Sequence, residues 1–132
     1  MESRANALSV LVAPDPACLP VVRQQISRLG SGLRQRTVED LRLLVNELVT
    51  NSLRHASFVA GDQIEVRVRL EGQAIRVEVR DPGPGFHPGL PVEGPNRPDK
   101  WGLYLVDSLA ESWGVDTDGG CRVWFVLRDT PV

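Results

Sequence analysis

Alternation of aliphatic and charged residues across two consecutive segments is the strongest constraint on the fold. In residues 64–70 and 75–80 every second residue is aliphatic, namely Ile64, Val66, Val68, Leu70, Ile75, Val77 and Val79. A period of two gives each strand one apolar and one charged face. The short turn at residues 71–73 predicts that the two strands pair as an antiparallel hairpin. A sheet with one apolar face needs helices over that face only, so the hairpin predicts a two-layer fold.

Three segments have the apolar spacing of helices that could form this second layer. Residues 18–29 carry the first apolar stripe, and Gly30 follows as a stop signal. Asp15 and Pro16 resemble a cap followed by a first-turn proline, whereas Pro20 is an alternative start for the same helix.

The second helix is predicted over residues 38–56, where Thr37 and Asp40 resemble a capping box that opens it. The third is predicted over residues 103–113, and Gly114 stands where a glycine often ends a helix. Together with the first segment, these give three amphipathic helices.

The remaining segments complete the order of elements. Residues 8–12 alternate as a first strand, residues 115–117 suggest a short strand, and residues 121–128 alternate as the last one. Residues 81–100 are rich in glycine and proline and fit no regular element. The order predicts an α/β (α+β) fold, a two-layer sandwich with three helices on one face of a mixed, mostly antiparallel sheet.

Composition narrows the class of protein. A chain of 132 residues suits one domain over residues 1–132, and its net charge of -2 argues against a nucleic-acid partner. Its apolar runs are too short to span a membrane, and its first residues lack the pattern of a secretory signal. Cys18 and Cys121 are far apart and lack metal-ligand spacing. We therefore expect a cytoplasmic protein with reduced thiols.

A row of polar residues runs along the second predicted helix. Glu47, Asn51 and His55 are four residues apart and stack on one side of the helix. The neighbouring apolar face consists of Leu41, Leu44, Val45, Leu48, Ser52 and Ala56. Polar groups in such a place form either a structural hydrogen-bonded network or a functional site, and the row alone does not separate the two.

Asp81 and the glycines after it form a second candidate patch. Asp81 closes an apolar strand, and an ionised carboxylate there could accept hydrogen bonds from the amine of adenine. Gly83 and Gly85 would let the backbone approach a flat base closely. A plain turn is the alternative for this segment taken alone.

A third patch lies where the long loop enters the last helix. Backbone N–H groups near Gly102 would suit a phosphate, although a simple helix start is the alternative. On the second helix, the amide oxygen of Asn51 suits Mg²⁺ shared with phosphates, and Glu47 could accept a proton. The three patches, in this order and on these elements, predict an adenine-nucleotide site.

At these residues the sequence resembles the GHKL superfamily of ATP-binding domains, whose fold is the Bergerat fold. Residues 47–56 (ELVTNSLRHA) resemble its N box, residues 81–86 (DPGPGF) its G1 box, and residues 101–114 (WGLYLVDSLAESWG) its G2 box. By size and motif wording the chain is most similar to the bacterial anti-sigma-factor serine-protein kinases and their short actinobacterial relatives. The resemblance covers essentially the whole chain.

The resemblance implies a role for each matched residue. Asn51 would hold Mg²⁺, and Glu47 would be the general base that activates a serine on a protein substrate. Asp81 would bind the adenine amine, with Gly83 and Gly85 shaping the base pocket. The other implied nucleotide contacts are Arg54, His55, Arg97, Lys100, Gly102 and Leu103. Among these, the last two would offer backbone N–H groups to phosphates, and residues 87–100 would form the ATP lid.

The resemblance also implies partners and leaves the activity open. One hypothesis is an ATP-dependent serine/threonine kinase that sequesters a sigma factor and phosphorylates an anti-sigma-factor antagonist, with a homodimer as one possible assembly. The other is an ATP-binding regulator that docks partners without phosphorylating them. The chain departs from kinase relatives at Lys100-Trp101-Gly102, where they often have three glycines or Gly-Arg-Gly. The lid segment is also rich in proline, so the resemblance supports ATP binding more fully than phosphoryl transfer.

Overall fold

The computed structural model describes residues 7–55, 58–82 and 101–130. Its elements are β1 (Ala7–Val12), α1 (Cys18–Leu29), α2 (Gln35–His55), β2 (Ile64–Glu71), β3 (Ala74–Asp81), α3 (Trp101–Leu109), β4 (Ser112–Asp116) and β5 (Cys121–Arg128). A single turn of 3₁₀ helix at Gly30–Gly32 joins α1 to α2. The predicted order of strands and helices is confirmed.

The strands form one five-stranded sheet in the order β1-β2-β3-β5-β4. The expectation of a mostly antiparallel sheet is confirmed, and all four pairings between the described strands are antiparallel. The predicted hairpin is β2–β3, where Gly72 has φ 62 at the first position of a two-residue turn. Type II′ turns reserve that position for glycine, because other residues rarely adopt a positive φ.

The core lies between the three helices and the inner face of the sheet. Alternate residues of the central strands are buried on this face, namely Val66, Val68, Ile75, Val77, Val79, Val123, Phe125 and Leu127. The helix α2 packs on β3 and β5 and separates α1 from α3 in the helical layer. Burial of each such aliphatic side chain stabilises the fold by roughly 1.5–3 kcal/mol relative to exposure. The predicted two-layer arrangement is therefore the observed one.

The start of α2 differs from the predicted capping box. The helix begins at Gln35, so Thr37 and Asp40 both lie inside it. The cap is instead Asp129 from the end of the sheet, whose Oδ1 accepts hydrogen bonds from the Arg34 N–H (3.2 Å) and the Thr37 hydroxyl (2.7 Å). A carboxylate at this end of a helix also interacts favourably with the helix dipole.

Asp40 has a different environment from a capping residue. Its carboxyl is half-buried on α2, and this burial raises the pKa of Asp40 above its ordinary value. The predicted capping box was therefore wrong. The distant Asp129 caps the helix, so Thr37 and Asp40 do not form the local cap that their spacing predicted.

The end of α3 also differs from the prediction. The helix ends at Leu109, and Glu111 donates its N–H to the Val126 carbonyl at 2.8 Å as the chain joins the sheet. Gly114 lies in β4 directly opposite Trp124 of β5. A Cβ at Gly114 would approach Trp124 Nε1 to 2.7 Å, so the ring needs a glycine beneath it. This glycine serves strand packing and is not the predicted helix stop.

Within the described ranges, no helix combines the length and the hydropathy needed to cross a membrane.

Candidate functional site

The polar row on α2 is unevenly buried. Glu47 is half-buried, whereas Asn51 is only 2% exposed. The backbone of His55 forms the last residue of α2, and its side chain lies outside the described part of the structure. Asn51 is therefore the member of the row that the fold places inside the molecule.

Asn51 carries a polar atom that the described residues leave unsatisfied. Its Nδ2 is buried and has no hydrogen-bond partner within residues 7–55, 58–82 and 101–130. Leaving a buried donor without a partner costs about 1–3 kcal/mol, and native proteins rarely do so without a reason. A bound group that accepts this hydrogen bond would remove the cost, which favours a site over a structural network.

Asp81 lies against the same turn of α2. It is the last residue of β3 and is 6% exposed. The hydroxyl of Ser52 donates a hydrogen bond to Asp81 Oδ2 at 2.5 Å. Because Ser52 directly follows Asn51, this bond brings the end of β3 to the Asn51 turn of the helix. Two of the predicted site residues therefore come together.

The turn between β4 and β5 packs onto the backbone of Asp81. Gly120 has φ 128, and a Cβ there would lie 2.6 Å from the Asp81 carbonyl oxygen. On the strand itself, Asp81 pairs with Cys121. Any side chain at Gly120 would push the end of β3 away, so the position of Asp81 depends on this glycine.

The first turn of α3 supplies the third predicted patch. Leu103 is 6% exposed and belongs to the core, and α3 packs against α2. Gly102 is the second residue of the helix, as predicted for a residue near the N-terminus. The first backbone N–H groups of a helix have no partner within the helix and are suited to an anion.

Other predicted nucleotide contacts remain to be located. Arg54 is exposed near the end of α2. Gly83, Gly85, Arg97 and Lys100 lie outside the described residues, as does all of the predicted lid at residues 87–100. For these positions the assignment stays a prediction.

Arg122 lies away from the candidate site. It projects from β5 onto the uncovered face of the sheet, where its guanidinium contacts Asp116 at 3.1 Å and Glu78 at 3.5 Å. It is therefore a half-buried ion-paired residue of that face.

The donor set suits a metal ion that is shared with a ligand. No group of three or more His, Cys, Asp or Glu side chains within the described ranges could hold a metal ion. Mg²⁺ in proteins often uses few protein ligands and completes its octahedron with phosphate oxygens and water. The Oδ1 of Asn51 is a ligand of the right type, and its unsatisfied Nδ2 is a donor suited to phosphate. The residues present therefore fit a Mg²⁺–phosphate group.

Two residues of this site escaped the sequence analysis. Ser52 was assigned to the apolar face of the helix, where it indeed lies, but it bonds to Asp81. A serine on an otherwise aliphatic buried face needs a hydrogen-bond partner, and this was the available signal. Gly120 belongs to none of the sequence motifs described above. Its contact with Asp81 joins two segments that are distant in sequence, so no local pattern could reveal it.

Comparison with known proteins places these residues in a family. Residues 12–127 match the family described as histidine kinase-like ATPase domain. The chain is 26% identical to the serine-protein kinase RsbW of Oceanobacillus iheyensis, in an alignment that covers 92% of this chain and 85% of the relative. It is 29% identical to the RsbW of Bacillus licheniformis, with 93% and 86% covered, and 25% identical to that of Bacillus subtilis, with 93% and 86% covered.

Solved structures agree on the fold. The histidine kinase domain of the Erythrobacter litoralis EL346 blue-light activated histidine kinase superposes with a TM-score of 0.56 at 23% identity, over 86% of this chain and 60% of that one. The Acinetobacter baumannii histidine kinase AdeS superposes with a TM-score of 0.58 at 8% identity, over 94% and 68%. This chain therefore corresponds to a part of each of those longer proteins.

Proposed function

The chain belongs to the histidine kinase-like ATPase family, and from this premise we propose that it binds ATP with Mg²⁺ and regulates a protein partner by phosphorylating it. The observation that carries the proposal is the buried, unsatisfied Nδ2 of Asn51 beside the Ser52–Asp81 hydrogen bond. Binding of ATP would account for these two polar groups, because ATP brings both a base and phosphates.

Adenine is the base that Asp81 fits best. A carboxylate is purely an acceptor, and the 6-amino group of adenine is a donor. Guanine has an acceptor at the same position and would repel the carboxylate. In this proposal Gly83 and Gly85 shape the rest of the base pocket.

The phosphates would lie between α2 and the first turn of α3. Asn51 would hold Mg²⁺, which would neutralise phosphate charge and orient the group to be transferred. Backbone N–H groups at Gly102 and Leu103 would bind phosphate oxygens. The side chains of Arg54, His55, Arg97 and Lys100 are proposed as further contacts around the nucleotide.

Glu47 is the proposed general base. It lies one helical turn before Asn51 and is half-buried, so in this proposal it would be near the phosphates and open to a substrate. Its carboxylate would take the proton of a serine hydroxyl as the serine oxygen attacks the γ-phosphorus. The bond from phosphorus to the bridging oxygen of ADP breaks in the same step, and the products are phosphoserine and ADP.

The proposed partners are a sigma factor and an anti-sigma-factor antagonist, the second being the phosphate acceptor. The name that the relatives carry, serine-protein kinase, supports a protein serine as the acceptor. A regulator of this kind would bind the sigma factor and be released from it through the antagonist.

A second candidate function is an ATP-binding docking module without phosphoryl transfer. Exposed aliphatic side chains on the edge strand and the first helix favour it, since Leu11 is 58% and Val21 is 48% exposed. Apolar surface in such places is suited to protein docking.

Glu47→Ala separates the two candidates. A kinase loses a general base, so we expect transfer of label from γ-labelled ATP to a partner captured by pull-down to fall about 10²- to 10⁴-fold. Affinity for Mg-ATP should stay nearly unchanged, because Glu47 is not a proposed nucleotide ligand. Glu39→Ala is the matched control, a glutamate on the exposed side of the same helix. Equal transfer by wild type and Glu47→Ala would exclude the general-base role, and no transfer by wild type would favour the docking module.

A further inference from the structure

Ser52 is a polar residue on an otherwise aliphatic part of its helix face, and its hydrogen bond goes to a predicted site residue. Its neighbours on that face are aliphatic and fully buried, including Leu48 at 2% and Val49 at 0% exposure. Ser52 itself is 7% exposed, and its hydroxyl donates to Asp81 Oδ2 at 2.5 Å. A hydrogen bond from a hydroxyl to a carboxylate belongs to one of the stronger classes of hydrogen bond.

The bond acts on the side chain of Asp81, whereas two other contacts act on its backbone. Pairing with Cys121 and the close approach of Gly120 hold the main chain of Asp81. Neither contact determines how its carboxylate is turned, because the terminal torsion of aspartate is broad. The bond from Ser52 restrains the orientation of the carboxylate relative to α2.

We infer that Ser52 is the positioning residue that makes the proposed site selective for the 6-amino group of adenine. This inference rests on the proposed function. A carboxylate offers about four acceptor positions, so a bond from Ser52 leaves it able to accept a second donor. A carboxylate held in this orientation would accept a hydrogen bond from the adenine amine with good geometry. It would repel the carbonyl oxygen of guanine, because both groups carry negative charge. Ser52 acts through Asp81 and has no contact of its own with the base.

The test compares two nucleotides that differ only in the amino group. The dissociation constants of Mg-ATP and of purine riboside 5′-triphosphate, which lacks the 6-amino group, are measured for wild type and Ser52→Ala. Wild type should prefer ATP by roughly ten- to a hundred-fold, as one charge-assisted hydrogen bond in a buried site allows. Ser52→Ala should reduce this preference about ten-fold or more, and should change the affinity for the analogue by less than about two-fold.

Conservative variants keep the test decisive. Ser52→Thr retains the hydroxyl and should retain the preference, whereas Ser52→Cys keeps a similar volume with a weak donor and should lose it. Ser27→Ala is the matched control, since the Ser27 hydroxyl donates within α1 to the Arg23 carbonyl at 3.0 Å. Thermal unfolding of each variant identifies any loss of fold.

Two outcomes would overturn the inference and leave the proposed function standing. In one, Ser52→Ala weakens both nucleotides equally, which is the mark of a structural role. In the other, its preference for ATP equals that of wild type. If wild type binds neither nucleotide, the proposed function and the inference both fail.

Discussion

Asn51 combines near-complete burial with a donor that the described residues leave unsatisfied, and this pairing distinguishes it from Glu47 in the same row. The row itself was predictable, because a spacing of four residues stacks side chains on a helix. Which member is buried was not, since that depends on how α2 is rotated against β3 and β5. Ser52 shows the same limit, because its partner Asp81 is 29 residues away in sequence.

Asn51→Leu should improve stability and abolish function. Leucine has the same number and branching of side-chain heavy atoms and removes the unsatisfied donor, so the free energy of unfolding should rise by about 1–3 kcal/mol. Affinity for Mg-ATP should fall at least about ten-fold, because the proposed metal ligand is lost. Denaturant unfolding and calorimetric titration measure the two effects. Asn46→Leu is the control, since Asn46 lines the groove between α1 and α2. A variant that binds Mg-ATP like wild type would remove Asn51 from the site.

At the scale of elements, α2 is fixed to the sheet at two points. Its N-terminus is held by Asp129 just after β5, and its middle is held by the Ser52–Asp81 bond at the end of β3. Asp129 is itself oriented by its N–H, which donates to the Gln73 carbonyl in the β2–β3 turn at 2.7 Å. The existence of the helix was predictable from its apolar period. Its start was not, because the capping group lies 92 residues after Thr37.

Asp129→Ala should destabilise the fold through the N-terminus of α2. Loss of the cap should lower the free energy of unfolding by about 1–2 kcal/mol. Thr37→Val removes one of the two donors, so it should lower the free energy of unfolding by less. The double variant should lose less stability than the sum of the two single losses, because both single variants remove the same hydrogen bond. Chemical denaturation of the four proteins gives the coupling. If the two losses of unfolding free energy simply add, the Thr37–Asp129 bond contributes nothing to stability. As a control, the affinity for Mg-ATP should not change in any of the variants.

At the scale of the whole molecule, the two-layer architecture follows from the alternation in β2 and β3. One apolar face required a helical layer, and the three amphipathic segments supplied it. The order of strands β3-β5-β4 did not follow, because strand order depends on contacts distant in sequence. The resemblance of the three motifs to the GHKL superfamily is confirmed by the family match over residues 12–127. The roles assigned to individual residues rest on the geometry around Asn51 and Asp81 and stay predictions.

We propose that the end of β3 binds the adenine of ATP, and the variant Asp81→Asn tests this binding. Asparagine keeps an oxygen that can accept the Ser52 bond, so the fold should persist, as thermal unfolding can verify. The substitution replaces the second carboxylate oxygen with an NH₂ group, and this donor cannot accept the hydrogen bond of the adenine amine. Calorimetric titration with Mg-ATP should show binding by wild type and roughly ten- to a hundred-fold weaker binding by the variant. Equal affinity in the two proteins, or no binding by wild type, would contradict the account.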